Sequence, residues 1–266
     1  MKISKKIIGI LSVAAIFCAD ILAQGPMTPY SRYGYGILND NATSTQRAMG
    51  GIGYAMSSGR QINVMNPASY AAMDSLTFLF DMGITATYLR NAEGDAKSKD
   101  FGGGLDYVTI QFPVCKNVGV SAGLLPYTSV GYSFGSEIEN GSSSRSGSGG
   151  LNQVYLGVGA SPLKGLSLGA NISYLFGTNI NDTYAVTSAG STTLFERVVQ
   201  VRDYHLQFGI QYAYNVNRDN KLTAGVTYSP KKTLLGHAWG VNYDVTSDTE
   251  PVSYTHLRAH ETGAYL

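Results

Sequence analysis

The chain has 266 residues, of which 14% are charged, 44% hydrophobic and 11% aromatic, with 32 glycines and 19 tyrosines. Soluble proteins average roughly 25% charged residues and about 7% glycine. A mean hydropathy of −0.04, and no apolar run beyond the first 25 residues near the roughly 20 that a membrane helix needs, exclude a helical membrane protein, and abundant Tyr, Phe, Val, Ile and Leu exclude a disordered one. An all-β protein remains, with a transmembrane barrel among its forms.

In chain order, residues 1–23 read as a secretory signal. Lys2, Lys5 and Lys6 precede the apolar stretch Ile7 to Phe17, and small Ala23 stands before Gln24. Lipid attachment at Cys18 is disfavoured by bulky Phe17 before it. Residues 24–75 are turn-rich and do not alternate. They carry Pro26, Pro29, Tyr33-Gly34 and Tyr35-Gly36, then Met49-Gly50-Gly51-Ile52-Gly53. Asn66-Pro67-Ala68-Ser69 follows, with an apolar stretch to Met73 that could form a helical turn.

From Leu76 the pattern has period two. Leu76, Phe78, Phe80, Met82, Ile84, Ala86 and Tyr88 alternate with Thr77, Asp81, Gly83, Thr85 and Thr87, which suits a wall between lipid and a mixed interior. Arg90 to Asp100 reads as a loop. A second strand is expected over Gly104 to Val114, a third from Val118 to Phe134, and a fourth over Gln153 to Ala160. The fifth runs from Leu166 to Phe176, the sixth carries Tyr204 to Tyr214, and the seventh holds Leu222 to Tyr228. An eighth begins around His237 to Val245. Gly135 to Gly150 and Thr178 to Thr193 read as long loops. Long and short connections alternate, as external loops and periplasmic turns do in outer-membrane barrels. A secreted β-sandwich is the alternative.

The end of the chain departs from this pattern. Val252 to Thr262 resembles the translation of a transposase-type sequencing adapter, so residues 252–266 are expected to be a non-native tail. An unusual genuine C-terminus is the alternative. On the first reading His256, His260 and Glu261 are no metal cluster. With the signal and tail set aside the chain is near neutral, without the basic footprint of nucleic-acid binding. It also has one cysteine, Cys115, and hence no internal disulfide.

Little catalytic chemistry is legible. Gly131-Tyr132-Ser133-Phe134-Gly135 matches a nucleophile elbow in letters, but the motif needs a strand–turn–helix context, and a Ser/Gly-rich stretch follows. His205 and His237 have no acidic partner at useful spacing. No enzyme, metal or cofactor is expected. Tyr204, Tyr212 and Tyr214 read as interface-belt and lipid-facing residues.

Thr45 to Asp74 resembles the N-terminal hatch of the FadL-type outer-membrane transporters of long-chain fatty acids and other hydrophobic compounds. The resemblance rests on Gly50, Gly51 and on Asn66, Pro67, Ala68, with the first strand following directly. Met65 and Ser69 depart from the family's pattern, in which an aromatic residue precedes Asn-Pro and Gly follows Ala. The resemblance implies a plugged transmembrane antiparallel β-barrel of about fourteen strands. Residues 24–75 are then the hatch, and residues 76–251 the first half of the barrel, with seven or eight strands. It also implies passive uptake of hydrophobic small molecules, with lateral exit through a kinked third strand. Gly123, Pro126 and Ser129 are the gate candidates, since proline cannot donate to a ladder; a rim bulge at Pro126 is the alternative. The alternative function is a non-transporting scaffold barrel, such as a secretion or attachment partner. Expected surroundings are outer-membrane lipid, a hydrophobic ligand and the barrel-assembly machinery, for a monomer in the outer membrane of a diderm bacterium.

Overall fold

The computed structural model describes residues 28–74, 76–93, 96–138, 141–187, 192–217, 220–245 and 253–255. Residues 1–23, expected to be a signal, and residues 252–266, expected to be a non-native tail, lie outside the described residues apart from 253–255. A short β1 (Ile37–Leu38) and the helix α1 (Ser44–Ala48) precede one antiparallel sheet. Its strands are β2 (Leu79–Glu93), β3 (Ala96–Cys115), β4 (Val118–Ile138), β5 (Gly141–Leu163), β6 (Leu166–Thr187), β7 (Thr192–Asn215), β8 (Lys221–Tyr228), β9 (Gly236–Val245) and β10 (Ser253–Thr255). Neighbours in sequence are neighbours in space from β2 to β7, as in an up-and-down barrel wall. The sheet curls into a half-barrel, and the segment 28–74 lies in its concave face. Among the described residues no helix is long and apolar enough to cross a membrane.

The period-two pattern separates two environments. Along β5, Leu151, Gln153, Tyr155, Gly157 and Gly159 are buried while Asn152, Val154, Leu156 and Val158 are exposed. A sandwich would bury Phe80, Ile172 and Phe208 against a second sheet. Instead they are 60%, 53% and 44% exposed on the convex face. Tyr204, Tyr212 and Tyr214 are exposed as well.

Three stretches expected to be loops are strands. Glu93 pairs with Ala96, Ile138 with Gly141, and Val186 with Thr192, so β2–β3, β4–β5 and β6–β7 are long hairpins. Strands β4 and β5 have 21 and 23 residues, against the roughly 9–11 that span a bilayer. The alternation vanishes from the sequence there because both faces of a strand beyond the apolar band are polar. The ladder itself continues, because it needs only main-chain groups. The short turns gather at the opposite end, where Asn117 and Gly165 take positive φ of 68° and 84°.

The expected eighth strand does not open a new position in the wall. Strand β8 pairs with β7 from Phe208 to Asn215, and β9 pairs with the same edge of β7 from Thr192 to Val201. Together they form one interrupted strand. Pro230, which has no N–H to give, sits in the interruption. Residues 253–255, within the tail, pair with Gly240 to Asn242 of β9.

Candidate functional site

Two features of the concave face stand out: a seat for the hatch and a seam in the wall. The seat begins with local chain chemistry. Helix α1 opens on a capping box in which Gln46 Oε1 accepts from the Thr43 N–H at 2.7 Å. It closes where Gly51 N–H donates to Gln46 O (2.8 Å) and Gly50 N–H to Arg47 O (3.0 Å), the two bonds of a Schellman stop. Gly50 and Gly51 have φ of +77° and +79° with nothing near a would-be Cβ. The glycine pair therefore serves backbone conformation, not close packing.

Asn66 caps the 3₁₀ helix Pro67–Ala72, its Oδ1 accepting from Ala68 N–H at 3.1 Å. Its Nδ2 donates to Tyr54 O (2.7 Å) and across to Ile210 O of β7 (3.3 Å). The side chain thus starts a helical turn and ties it to the wall. The turn rests on a row of glycines. Gly119, Gly159, Gly169 and Gly209 are successive register partners across β4, β5, β6 and β7. A Cβ on any of them would collide with the backbone of Pro67 or Tyr70 or with the Asn66 side chain. Only hydrogen at these four positions lets the Asn-Pro-Ala turn lie flat on the sheet.

Wall amides hold the rest of the hatch. Gln207 Nε2 donates to Met65 O (3.0 Å), Gln211 Nε2 to Tyr54 O (2.9 Å) and Met56 O (3.0 Å), and Asn179 Nδ2 to Tyr35 O (3.0 Å). Gln153 Nε2 meets Asn41 Oδ1 at 2.6 Å. Ile62, Val64, Tyr70, Tyr107, Leu125 and Tyr155 form the apolar cluster between hatch and wall. Complete burial, beside Ser121, Tyr155 and Asn171, pushes the Tyr70 hydroxyl well above the ordinary tyrosine range. It stays neutral.

The seam lies between β3 and β4. Their ladder runs from Cys115/Val118 to Val108/Leu124 and stops. Both strands continue, β3 with β2 to Ala96 and β4 with β5 to Ile138. The hatch holds both lips. On β4, β1 adds as a short antiparallel strand, Ile37 opposite Ser129 and Leu38 opposite Thr128. Asn39 N–H donates to Tyr127 O (2.9 Å) and Thr28 N–H to Gly131 O (2.7 Å). On β3, Asp106 bulges out of register opposite Gly83/Ile84 and pairs with Arg47 of α1 at 2.5 Å. The Tyr107 hydroxyl donates to Ser44 Oγ at 2.7 Å.

The gate candidates fall at this seam. Gly123 is the register partner of Thr109 in the last paired stretch, Pro126 lies just past it, and Ser129 carries β1. Toward β5 the ladder passes through Pro126/Asn152 and Thr128/Leu151, with a one-residue bulge at Tyr127. The discontinuity is thus on the β3 side of β4. The Tyr127 ring lies 6.0 Å from that of His205 on β7.

The break between β8 and β9 is closed by a clasp. Lys232 Nζ meets buried Asp203 Oδ1 and donates to Tyr204 O at 3.2 Å, while Leu235 N–H donates to Asp203 Oδ2 at 2.9 Å. The ammonium sits 3.1 Å from the centroid of the Tyr204 ring. Gly131 to Gly135 runs as strand within β4, not in the strand–turn–helix of a nucleophile elbow. Among the described residues no three potential ligands gather to hold a metal.

The helical turn after Asn66 was legible in the sequence, but the surface that receives it was not. The glycine row and the amides Gln153, Asn179, Gln207 and Gln211 come from strands far apart in the chain. Their shared signal is a Gly, Asn or Gln at inward parity, which becomes a site only once the register is known.

A family model described as BamG matches residues 3–253, and the chain belongs to the BamG family. No curated protein and no solved structure matches it.

Proposed function

We propose that this BamG-family chain is a non-transporting barrel of the outer membrane that works beside the barrel-assembly machinery, the assembly from which the family's name takes its prefix. The observation that carries this reading is the hatch, which is seated on the wall by Asn66, the glycine row and the four wall amides Gln153, Asn179, Gln207 and Gln211. A lumen meant for apolar ligands needs a continuous apolar path from the outer end. The inward faces of β4 to β7 are mixed: Ser121, Gln153, Asn171, Ser173, Asn179, Asp203 and Gln211 interrupt apolar residues such as Leu151, Leu175 and Val201, and Gln153, Asn179 and Gln211 are bonded to the hatch. An interior whose apolar stretches are interrupted by polar residues and filled by the hatch suits a scaffold.

Purification of the full-length tagged protein from membranes in mild detergent tests the reading. Barrel-assembly components are expected to co-purify, and a deletion strain is expected to take up labelled fatty acid at the normal rate. Lost uptake with normal outer-membrane protein levels would overturn it.

One observation favours the second reading, passive uptake of hydrophobic small molecules with lateral exit. The seam opens on the β3 side of Leu124, beside Pro126, where a break in the ladder would let an amphiphile slip sideways into lipid.

A further inference from the structure

The two lips of the seam are not treated alike. The β4 lip carries an added strand, β1. The β3 lip, over Phe101-Gly102-Gly103-Gly104-Leu105, pairs on its other side with Thr85 to Tyr88 of β2 and Ile84, and among the described residues no strand pairs with it on the seam side. Three consecutive glycines strip this lip of side chains. Glycine within a strand marks a place where another backbone can approach closely; at Gly103 the backbone of β2 does so on one side, a Cβ there meeting Thr85 O at 2.7 Å, and the seam side is left open. On either side of them Phe101 and Leu105 are 75% and 40% exposed, on the same face as their partners Tyr88 and Ile84. The face is continuous with the apolar run of Val108, Ile110, Phe112 and Val114 on β3. Main-chain groups left unpaired beside exposed apolar side chains are costly, so such an edge calls for a partner that brings N–H and C=O groups.

We propose that the glycine lip of β3 takes an extended strand of an outer-membrane barrel polypeptide by main-chain addition. The partner's side chains would alternate, with its apolar set lying beside Phe101 and Leu105. The choice of partner rests on the barrel-assembly reading; the mode of binding rests on the lip itself. The opposite lip shows the mode at work, since β1 adds to β4 there through main-chain bonds.

The probe is a synthetic peptide of about ten residues, the length of a membrane-spanning strand, alternating Phe or Leu with Thr and labelled for anisotropy. It is offered to the full chain in nanodiscs. A matched peptide carries N-methyl groups on alternate amides along both edges, which removes main-chain donors and keeps the side chains. The alternating peptide is expected to bind, and methylation to weaken binding at least about tenfold, as loss of one or two net hydrogen bonds implies. In a Cys115→Ser background, Leu105→Cys should form disulfides with cysteines at every second peptide position, and Ile172→Cys in the closed wall should not. Equal binding of the methylated peptide, or equal crosslinking at Ile172→Cys, would show hydrophobic adsorption and overturn the proposal. Failure here with co-purification intact removes strand addition alone. Strand addition without co-purification removes the link to the assembly machinery.

Discussion

At the scale of single residues, Asn66 does more than start a helical turn. It is fully buried, and it bonds to its own helix, to the hatch at Tyr54 and to β7 at Ile210. Asn66→Ala leaves these groups unpaired in a dry site, each a loss of about 1–3 kcal/mol. The hatch should loosen while the wall stands. Limited trypsinolysis in detergent checks this: cleavage at Arg47 or Arg60 should appear at lower protease concentration than in the wild type, with the strands still protected. The Asn-Pro-Ala triplet was legible in the sequence because capping is local chemistry. The four glycines beneath it were not, because Gly119, Gly159, Gly169 and Gly209 form a row only through the register of four strands.

At the scale of elements, the hatch bridges a seam that the wall leaves open. If β1 lies on β4 as a strand, Leu38 and Thr128 are direct cross-strand neighbours, close enough for a disulfide. Leu38→Cys with Thr128→Cys, in a Cys115→Ser background, should oxidise to a single crosslinked species, visible as a shift in gel mobility. Displacing the second cysteine to Ser133, five residues along β4, should abolish the shift. Strand existence was legible from the apolar alternation of Phe80 to Tyr88 and Leu166 to Phe176, which needs two different solvents on two faces. Where Ser142 to Ser148 meet polar surroundings on both sides the signal fades, and the strand hides in a sequence that looks like loop. Pro126 announced a disturbance in β4, but that β3 and not β5 parts from it is read only from the ladders.

At the scale of the whole molecule, the wall divides an apolar exterior from a mixed, occupied interior. Ile172→Arg places a charge in the convex band and should cost about 2–4 kcal/mol near mid-membrane. Ser148→Arg, on the polar extension of β5, should cost little. Urea titration of the folded protein in lipid, followed by its heat-modifiable gel mobility, would separate the two. Equal effects would mean that the convex face does not meet hydrocarbon. The extensions of β4 to β7 keep the same sheet well past the band, so anything that meets this end finds a firm rim in place of loose loops.

The seat of the hatch also orders events during folding. Asn66 leaves the ribosome well before Ile210, the wall carbonyl it binds 144 residues later. The segment 28–74 is therefore made first and finds its place last, after β4 to β7 have come into register. Contacts this distant in sequence form slowly. Until they form, Ile62, Val64, Met65 and Tyr70, all buried in the finished protein, belong to a chain without a shelter, so a helper that retains the N-terminal segment through export and insertion would raise the yield of closed, plugged protein.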